Sequence, residues 1–273
     1  MYDDLSALAL RPAETAFFFD FDGTLAEIVD DPSAVTVAPD VLLAIAALHE
    51  ASDGAVAVVS GREMAALDVF LAPLRLPLGG AHGAERRDAG GQVHRVDADG
   101  SAIEQVADAL ERVARVNDGL LVERKRSSVA LHYRRRPDLE AMCRTASRDL
   151  ASRCGLAMLE GKMVVELKLS GRTKGDLIGD FMSEKPFLGR RPIFVGDDVT
   201  DEDAFRVLPR WDGIGVKVGT GPTAASHRIP DPAALHAWLL RLTGAPERNG
   251  ASRVSPAAPT SQERVDNLRS TEE

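Results

Sequence analysis

FFFDFDGTLAE, residues 17–27, places two aspartates directly after three phenylalanines. The run from Ala16 to Phe19 is apolar at every position, which indicates a strand buried on both faces of a sheet. Asp20 and Asp22 follow, and side chains two apart at a strand end point the same way. Neighbouring carboxylates repel each other, and their burial is unfavourable without a compensating positive charge. We therefore expect a cation at this strand end.

The chain on both sides of this strand alternates between predicted helices and strands. Before residue 84 the order is a helix over 39–50, a buried strand over 55–60 and a helix that opens near residue 61. After residue 168 it is a helix from Lys174, the strand RPIFVGDD, a helix from Asp201, the strand GIGVKV and a helix over 232–242. Such alternation is the signature of a doubly wound parallel sheet. We predict an α/β fold whose Rossmann-like core comprises residues 1–83 and 169–243.

The pattern between the two core segments is different. A helix-strand-strand unit occurs twice within residues 84–168, which predicts an inserted α/β domain with an open sheet and helices on one face. In residues 244–273, polar residues, small residues and prolines are scattered with almost no large apolar ones, which predicts a disordered tail.

The composition excludes several classes of partner. The chain has 273 residues, 33 Lys plus Arg against 42 Asp plus Glu, and a formal charge of -9, so it would repel nucleic acid and anionic membranes. Its first residues are acidic where a secretory signal is basic, and no apolar run approaches the roughly 20 residues that span a bilayer. We expect a monomeric cytoplasmic enzyme.

Cys143 and Cys154 lie about 16 Å apart on one predicted helix and are expected to be free thiols.

A second acidic stretch, GDDVTDE, follows the buried strand IFV. Asp197 and Asp198 stand at that strand's end, as Asp20 and Asp22 do at theirs, and carboxylate oxygens are the ligands that Mg²⁺ prefers. The four aspartates together predict a magnesium site. Turn-forming or capping aspartates are the alternative, and a capping run over residues 200–203 accounts for the later acids.

Ser60, Gly61, Arg62 and Lys174 predict a site for an anion. The first three end a buried strand, where a hydroxyl and backbone amides at a helix start form a phosphate cradle. Lys174 opens a predicted helix, where the helix dipole disfavours a cation unless an anion is bound nearby. The alternatives are a serine that caps the helix and a solvated surface lysine.

In this order, DFDGT, SGR, Lys174 and GDDVTDE resemble the four signatures of the haloacid dehalogenase (HAD) superfamily of phosphatases. The insert resembles the α/β, or C2-type, cap of that superfamily. FDGTLAEI, HGAERRD, ALHYR, GKMVVELK and FVGDDVTDE further resemble the bacterial family of trehalose-6-phosphate phosphatases, over residues 17–242.

This resemblance implies hydrolysis of trehalose 6-phosphate to trehalose and phosphate, the final step of trehalose biosynthesis. Asp20 would be the nucleophile that forms an aspartyl-phosphate, and Asp22 the general acid and then the base. Mg²⁺ would be bound by Asp20, by the backbone carbonyl of Asp22 and by Asp197 or Asp198.

The resemblance also implies two groups of substrate contacts. Ser60, the Gly61 amide and Lys174 would hold the phosphoryl oxygens. The full substrate-binding set is Asp20, Asp22, Gly61, Arg62, Glu123, Lys125, Arg134 and Glu166. The last four would lie in the cap and contact the sugar, and the alternative for them is a set of solvated cross-strand charge pairs. His82 and Gly83 are expected to line the cleft.

The partner implied is therefore a small phosphorylated disaccharide. Two alternatives remain. One is a capped phosphatase for another sugar phosphate, such as sucrose phosphate or mannosyl-glycerate phosphate, and the other is a non-catalytic domain that binds a sugar phosphate.

Overall fold

A computed structural model describes residues 2–29, 34–95, 101–125, 127–161, 163–169 and 171–244. The predicted tail lies, except for Gly244, outside the described residues. The strands are β1 (Thr15–Phe19), β2 (Val56–Val59), β3 (Leu78–Gly80), β4 (Glu85–Arg87), β5 (Val93–Arg95), β6 (Leu121–Arg124), β7 (Ser128–His132), β8 (Ala157–Gly161), β9 (Val164–Lys168), β10 (Arg191–Gly196), β11 (Ile214–Val218) and β12 (His227–Ile229). The α-helices are α1 (Pro39–Ala51), α2 (Met64–Phe70), α3 (Ser101–Arg115), α4 (Glu140–Cys154), α5 (Lys174–Met182), α6 (Glu202–Val207) and α7 (Pro232–Thr243).

The larger sheet has eight strands in the order β12-β11-β10-β1-β2-β3-β4-β5. The six strands from β12 to β3 are parallel, and β4 and β5 continue the sheet as an antiparallel hairpin. The predicted α/β fold with a parallel core sheet is confirmed.

The three phenylalanines of β1 bury both faces of this sheet. Phe17 and Phe19 belong to the apolar cluster that α1, α2 and α7 complete, whereas Phe18 belongs to the cluster on the face of α5 and α6. Phe18 packs on Phe181 and Phe187, with ring centroids 5.9 and 5.3 Å away. Because successive side chains of a strand point to opposite faces, an uninterrupted apolar run is what a strand covered on both faces needs.

The register of the parallel strands brings the ends of β1, β2 and β10 to one edge. Phe19 pairs with Val195 of β10 and with Val58 of β2. Asp20, Ser60 and Asp197, which follow these strands, therefore meet at the carboxyl edge of the sheet, where open α/β folds place their sites.

The insert forms a second sheet of four antiparallel strands in the order β6-β7-β9-β8. Val129, Leu131, Val165 and Leu167 pack with the apolar residues of α3 and α4 on one face. The alternation of strand residues places the odd-numbered positions of β6 and the even-numbered positions of β7 and β9 on the other face, which is rich in polar side chains.

The hairpin of β4 and β5 corrects the boundary predicted at residue 84. These strands extend the larger sheet instead of opening the insert. Arg87 is buried, donates to both carboxylate oxygens of Asp68 on α2, and also donates to the carbonyl of Leu76. Glu85 accepts a hydrogen bond from the Met64 amide at the start of α2. These long-range polar contacts attach the hairpin to the core, and no local sequence pattern encodes them.

Cys143 is buried, Cys154 is half-buried, and both are free thiols, as predicted. None of the helices within the described ranges combines the length and the apolar character needed to cross a bilayer.

Replacing Phe18 tests the role of β1 in both clusters. Phe18→Ala removes a fully buried ring between two other rings, so we expect the free energy of unfolding to fall by about 3–5 kcal/mol. Urea unfolding followed by circular dichroism measures this. Val69→Ala, at a side chain that is 72% exposed, is the matched control and should change stability by less than about 0.5 kcal/mol. Equal effects of the two variants would contradict the assignment.

Candidate functional site

Lys174 is buried between two carboxylates at the edge of the larger sheet. Its ammonium lies 2.7 Å from Oδ1 of Asp20 and 2.6 Å from Oδ1 of Asp201. Lys174 is the first residue of α5, and Thr173 caps that helix through a hydrogen bond from the Asp176 amide. The lysine therefore opens a helix, as predicted, and its buried position excludes the alternative of a solvated surface lysine.

Burial and charge act in opposite directions on this cluster. Burial and the neighbouring Asp201 raise the pKa of Asp20 well above its ordinary value, and the charge of Lys174 opposes this. Burial alone would lower the pKa of Lys174, but Asp20 and Asp201 outweigh it and raise that pKa. The ammonium of Lys174 thus compensates the two buried carboxylates only in part. The cluster keeps negative charge that a further cation would neutralise.

Asp197 is the third carboxylate at this edge. Its Oδ1 atom is buried and has no hydrogen-bond partner among the described residues. Burial, with the charges of Asp201 and Asp198, raises the pKa of Asp197 to about 6. A ligand oxygen of Asp197 lies within 4.8 Å of oxygens of Asp20 and Asp201, so this acidic group fits a metal ion.

Gly23 makes room for Asp197. Its φ of +74° lies in the left-handed region, and a Cβ atom there would overlap the carboxylate of Asp197. The glycine of DFDGT therefore serves both the turn and the close approach of the second acidic stretch.

Asp198 and Asp201 make contacts at the start of the next helical segment, and those of Asp201 go beyond the predicted capping. Asp198 caps the short 3₁₀ helix Val199–Asp201, and its amide donates to Oδ2 of Asp201 at 2.8 Å. Asp201, which we assigned to helix capping, is fully buried and also accepts the hydrogen bond from Lys174. Asp201 belongs to the acidic stretch GDDVTDE, but helix capping was a sufficient local explanation for an acid at this position.

Lys217 is a further residue that the sequence reasoning missed. Its buried ammonium, on β11, donates to the backbone carbonyl of Asp197. The available signal was a lysine inside the otherwise apolar strand GIGVKV.

Ser60, Gly61 and Arg62 form a turn that we call the SGR turn. It precedes α2 and does not belong to it, since that helix begins at Met64. The Ser60 hydroxyl accepts a hydrogen bond from the Arg62 amide at 3.1 Å. The Arg62 guanidinium donates to both oxygens of Asp22 at 2.7 Å and lies over the ring of Phe70. Asp22 therefore faces an arginine that the sequence analysis placed on the substrate.

A cavity of about 660 Å³ lies between the core and the insert. Ligand cavities for small molecules typically have this size. Its lining from the core includes Asp20, Asp22, Ser60, Gly61, Arg62, His82, Lys174, Asp197 and Asp198, and its lining from the insert includes Glu123, Arg124 and Lys125. The structure thus brings together most of the predicted site residues around one cavity.

Two predicted insert residues lie outside the lining. Glu166 is buried on β9, where Lys125 and Ser128 donate to its Oε1 at 3.1 and 2.5 Å. Arg134 follows β7, is exposed, and does not line the cavity. Because β7 ends at His132, the strand alternation that would have aimed Arg134 at the cleft does not extend to it.

His82 lines the cavity at the junction between core and insert. Its ring nitrogen Nε2 is 3.4 Å from Oε2 of Glu166. Burial alone would raise the pKa of Glu166, but His82 and Lys125 outweigh it and lower that pKa. Gly83, the next residue, is buried against Arg172.

The chain is similar to known proteins over most of its length. A model of the trehalose-phosphatase family matches residues 18–233. The chain is 44% identical over 246 residues to trehalose-6-phosphate phosphatase of Escherichia coli K12, covering 90% of this chain and 92% of that protein.

Solved structures are similar as well. One is a trehalose-6-phosphate phosphatase related protein, with a TM-score of 0.70, 27% identity, and coverage of 84% of this chain and 96% of the other. Another, a phosphatase of the HAD superfamily from Bacteroides thetaiotaomicron, has a TM-score of 0.61, 15% identity, and coverage of 88% and 99%. The second likeness concerns the fold alone.

Removing the charge of Lys174 tests the compensation of the buried carboxylates. In metal-free buffer at pH 8, Lys174→Met should lower the free energy of unfolding by about 3–5 kcal/mol, because two buried carboxylates lose their partner. Acids whose pKa is raised by folding bind protons more tightly in the folded state, so the loss should shrink as the pH falls towards 5. Urea unfolding at both pH values measures this. Lys185→Met, at an exposed lysine, is the control. A loss of unfolding free energy in Lys174→Met that does not depend on pH would contradict the proposed charge compensation.

Proposed function

The chain belongs to the trehalose-phosphatase family, within the HAD superfamily, and we propose that it hydrolyses trehalose 6-phosphate to trehalose and inorganic phosphate. The observation that carries the proposal is that one cavity joins Asp20, Lys174 and the SGR turn to the polar side chains Glu123 and Lys125 of the insert. Asp20, Lys174 and the SGR turn suit the reaction of a phosphate ester, and the polar side chains of the insert suit the binding of a disaccharide with many hydroxyls.

In the first step, Asp20 attacks phosphorus, the bond from phosphorus to the sugar oxygen breaks, and an aspartyl-phosphate forms. Lys174 holds the attacking carboxylate through Oδ1, which leaves Oδ2 for the reaction. The Ser60 hydroxyl, the Gly61 amide and Lys174 bind the phosphoryl oxygens and stabilise their charge.

Asp22 transfers the protons. It protonates the departing sugar oxygen and, in the second step, accepts the proton of the water that attacks the aspartyl-phosphate. Arg62 now donates to both carboxylate oxygens of Asp22, so one of these hydrogen bonds has to open before the transfer. We propose that Arg62 then turns to the phosphoryl group, which couples arrival of the phosphate to release of the acid.

Mg²⁺ fits the acidic group as the resident cation. Asp20, Asp197 and the backbone carbonyl of Asp22 would hold it. The Oδ1 atom of Asp197, which has no hydrogen-bond partner within the described part of the chain, supports this choice. The bound ion would neutralise charge on the phosphoryl group and on the attacking carboxylate. Asp201 contributes to the site through Lys174, since both of its oxygens already accept hydrogen bonds.

Substrate specificity is tested with a panel of phosphate esters. We expect phosphate release from trehalose 6-phosphate to exceed that from glucose 6-phosphate, because a monosaccharide ester is too short to reach from the phosphate end of the cavity to the insert. We also expect it to exceed that from sucrose phosphate and mannosyl-glycerate phosphate, since the family match favours trehalose 6-phosphate. Asp20→Asn should lower turnover at least about 10³-fold and preserve the circular dichroism spectrum. No preference over glucose 6-phosphate would reject the substrate. Turnover by Asp20→Asn near the wild-type rate would reject the nucleophile.

The metal assignment distinguishes Asp197 from Asp198. Asp197→Asn should weaken Mg²⁺ binding at least about tenfold, because it replaces a carboxylate of the acidic group. Asp198→Asn is the matched control and should weaken it less, since Asn also caps helices well and Asp198 caps one here. Isothermal titration calorimetry on metal-free protein measures both. A larger effect at Asp198 would reverse the assignment.

A further inference from the structure

His82 lies in the 3₁₀ turn Ala81–Gly83, directly after β3 of the core. Ala81 and His82 both have positive φ angles, 48° and 51°, which residues other than glycine rarely adopt. Two backbone hydrogen bonds hold this conformation, from the Ala81 amide to the Arg62 carbonyl and from the His82 amide to the Ser60 carbonyl. The strained turn is therefore attached directly to the SGR turn.

The His82 side chain is fixed on two sides. Its ring covers Gly61, where a Cβ atom would overlap the imidazole, and its Nε2 faces Oε2 of Glu166 across the junction. The side chain is 16% exposed and forms part of the cavity lining. One imidazole thus contacts both the turn proposed to bind phosphate and the sheet of the insert.

Glu166 continues this contact towards the insert residues that are proposed to bind the sugar. Its other oxygen, Oε1, accepts hydrogen bonds from Lys125 and Ser128. Lys125 lines the cavity beside Glu123. The chain of contacts from Gly61 through His82 and Glu166 to Lys125 spans the cavity from the phosphate end to the insert.

We propose that His82 is a positioning residue: through Glu166 it sets the orientation of Lys125 relative to the SGR turn, and so selects phosphate esters whose alcohol reaches the insert. This inference rests on the proposed function. Its consequence is that loss of the contact reduces the advantage of the large substrate over a small phosphate ester.

Two amide substitutions test this. The amide nitrogen of Gln can take the place of Nε2, so His82→Gln keeps a donor towards Glu166. His82→Asn tolerates the left-handed backbone but is too short to reach Glu166. The readout is kcat/KM for trehalose 6-phosphate divided by kcat/KM for 4-nitrophenyl phosphate. We expect this ratio to fall about tenfold for His82→Asn, an effect typical of contacting residues, and His82→Gln to restore most of it.

A double-mutant cycle identifies the partner. In a Glu166→Gln background, His82→Asn should lower the ratio little further, because the charged acceptor that the imidazole faces is already lost. Glu166→Gln alone should lower the same ratio, which gives a second readout if His82→Asn does not fold. His94→Asn, at an exposed imidazole bonded to Asp88, is the control and should leave the ratio unchanged.

Three results would overturn the inference: an unchanged ratio for His82→Asn, an undiminished cost in the Glu166→Gln background, or equal losses on both substrates with a lowered thermal midpoint. Wild-type protein without preference for trehalose 6-phosphate would instead overturn the proposed function. A wild-type preference that persists in His82→Asn would overturn this inference alone.

Discussion

The buried ammonium of Lys174, shared by Asp20 and Asp201, is the interaction on which the site depends. It joins the end of β1, the start of α5 and the turn after β10, which are far apart in the sequence. Carboxylates this deeply buried are stable only with a charged partner. Lys174 compensates Asp20 and Asp201 only in part, and Asp197 adds a third carboxylate, so the acidic group retains negative charge that a divalent cation would offset.

The sheet makes this arrangement rigid. Apolar clusters pack on both faces of β1, and the parallel register brings the ends of three strands to one edge. The insert supplies the second half of the cavity, with its helices on the far face of its sheet and its polar side chains towards the core. The imidazole of His82 contacts both halves, Gly61 in the core and Glu166 in the insert.

Much of this was predictable. The apolar run before Asp20, the alternation of helices and strands, and the position of Lys174 at a helix start all follow from local patterns. Three contacts did not follow from local patterns: the hydrogen bonds from Arg62 to Asp22, from Lys174 to Asp201 and from Lys217 to the Asp197 carbonyl. Each joins residues that are distant in sequence, and for Asp201 helix capping was already a sufficient local explanation. The polar contacts of Glu85 and Arg87, which attach the hairpin to the core, escaped prediction for the same reason.

By itself, the sequence determined the α/β class, the doubled unit of the insert, the acids and hydroxyl at the strand ends, and the lysine at a helix start. Periodicity and strand-end chemistry are local properties, so they can be read without coordinates. Only the tertiary structure decided which acids share a partner, which side chains line the cavity, and where the core ends. These outcomes depend on the distance and burial of groups that the fold brings together, because the energy of a charge is set by its surroundings and not by its neighbours along the chain.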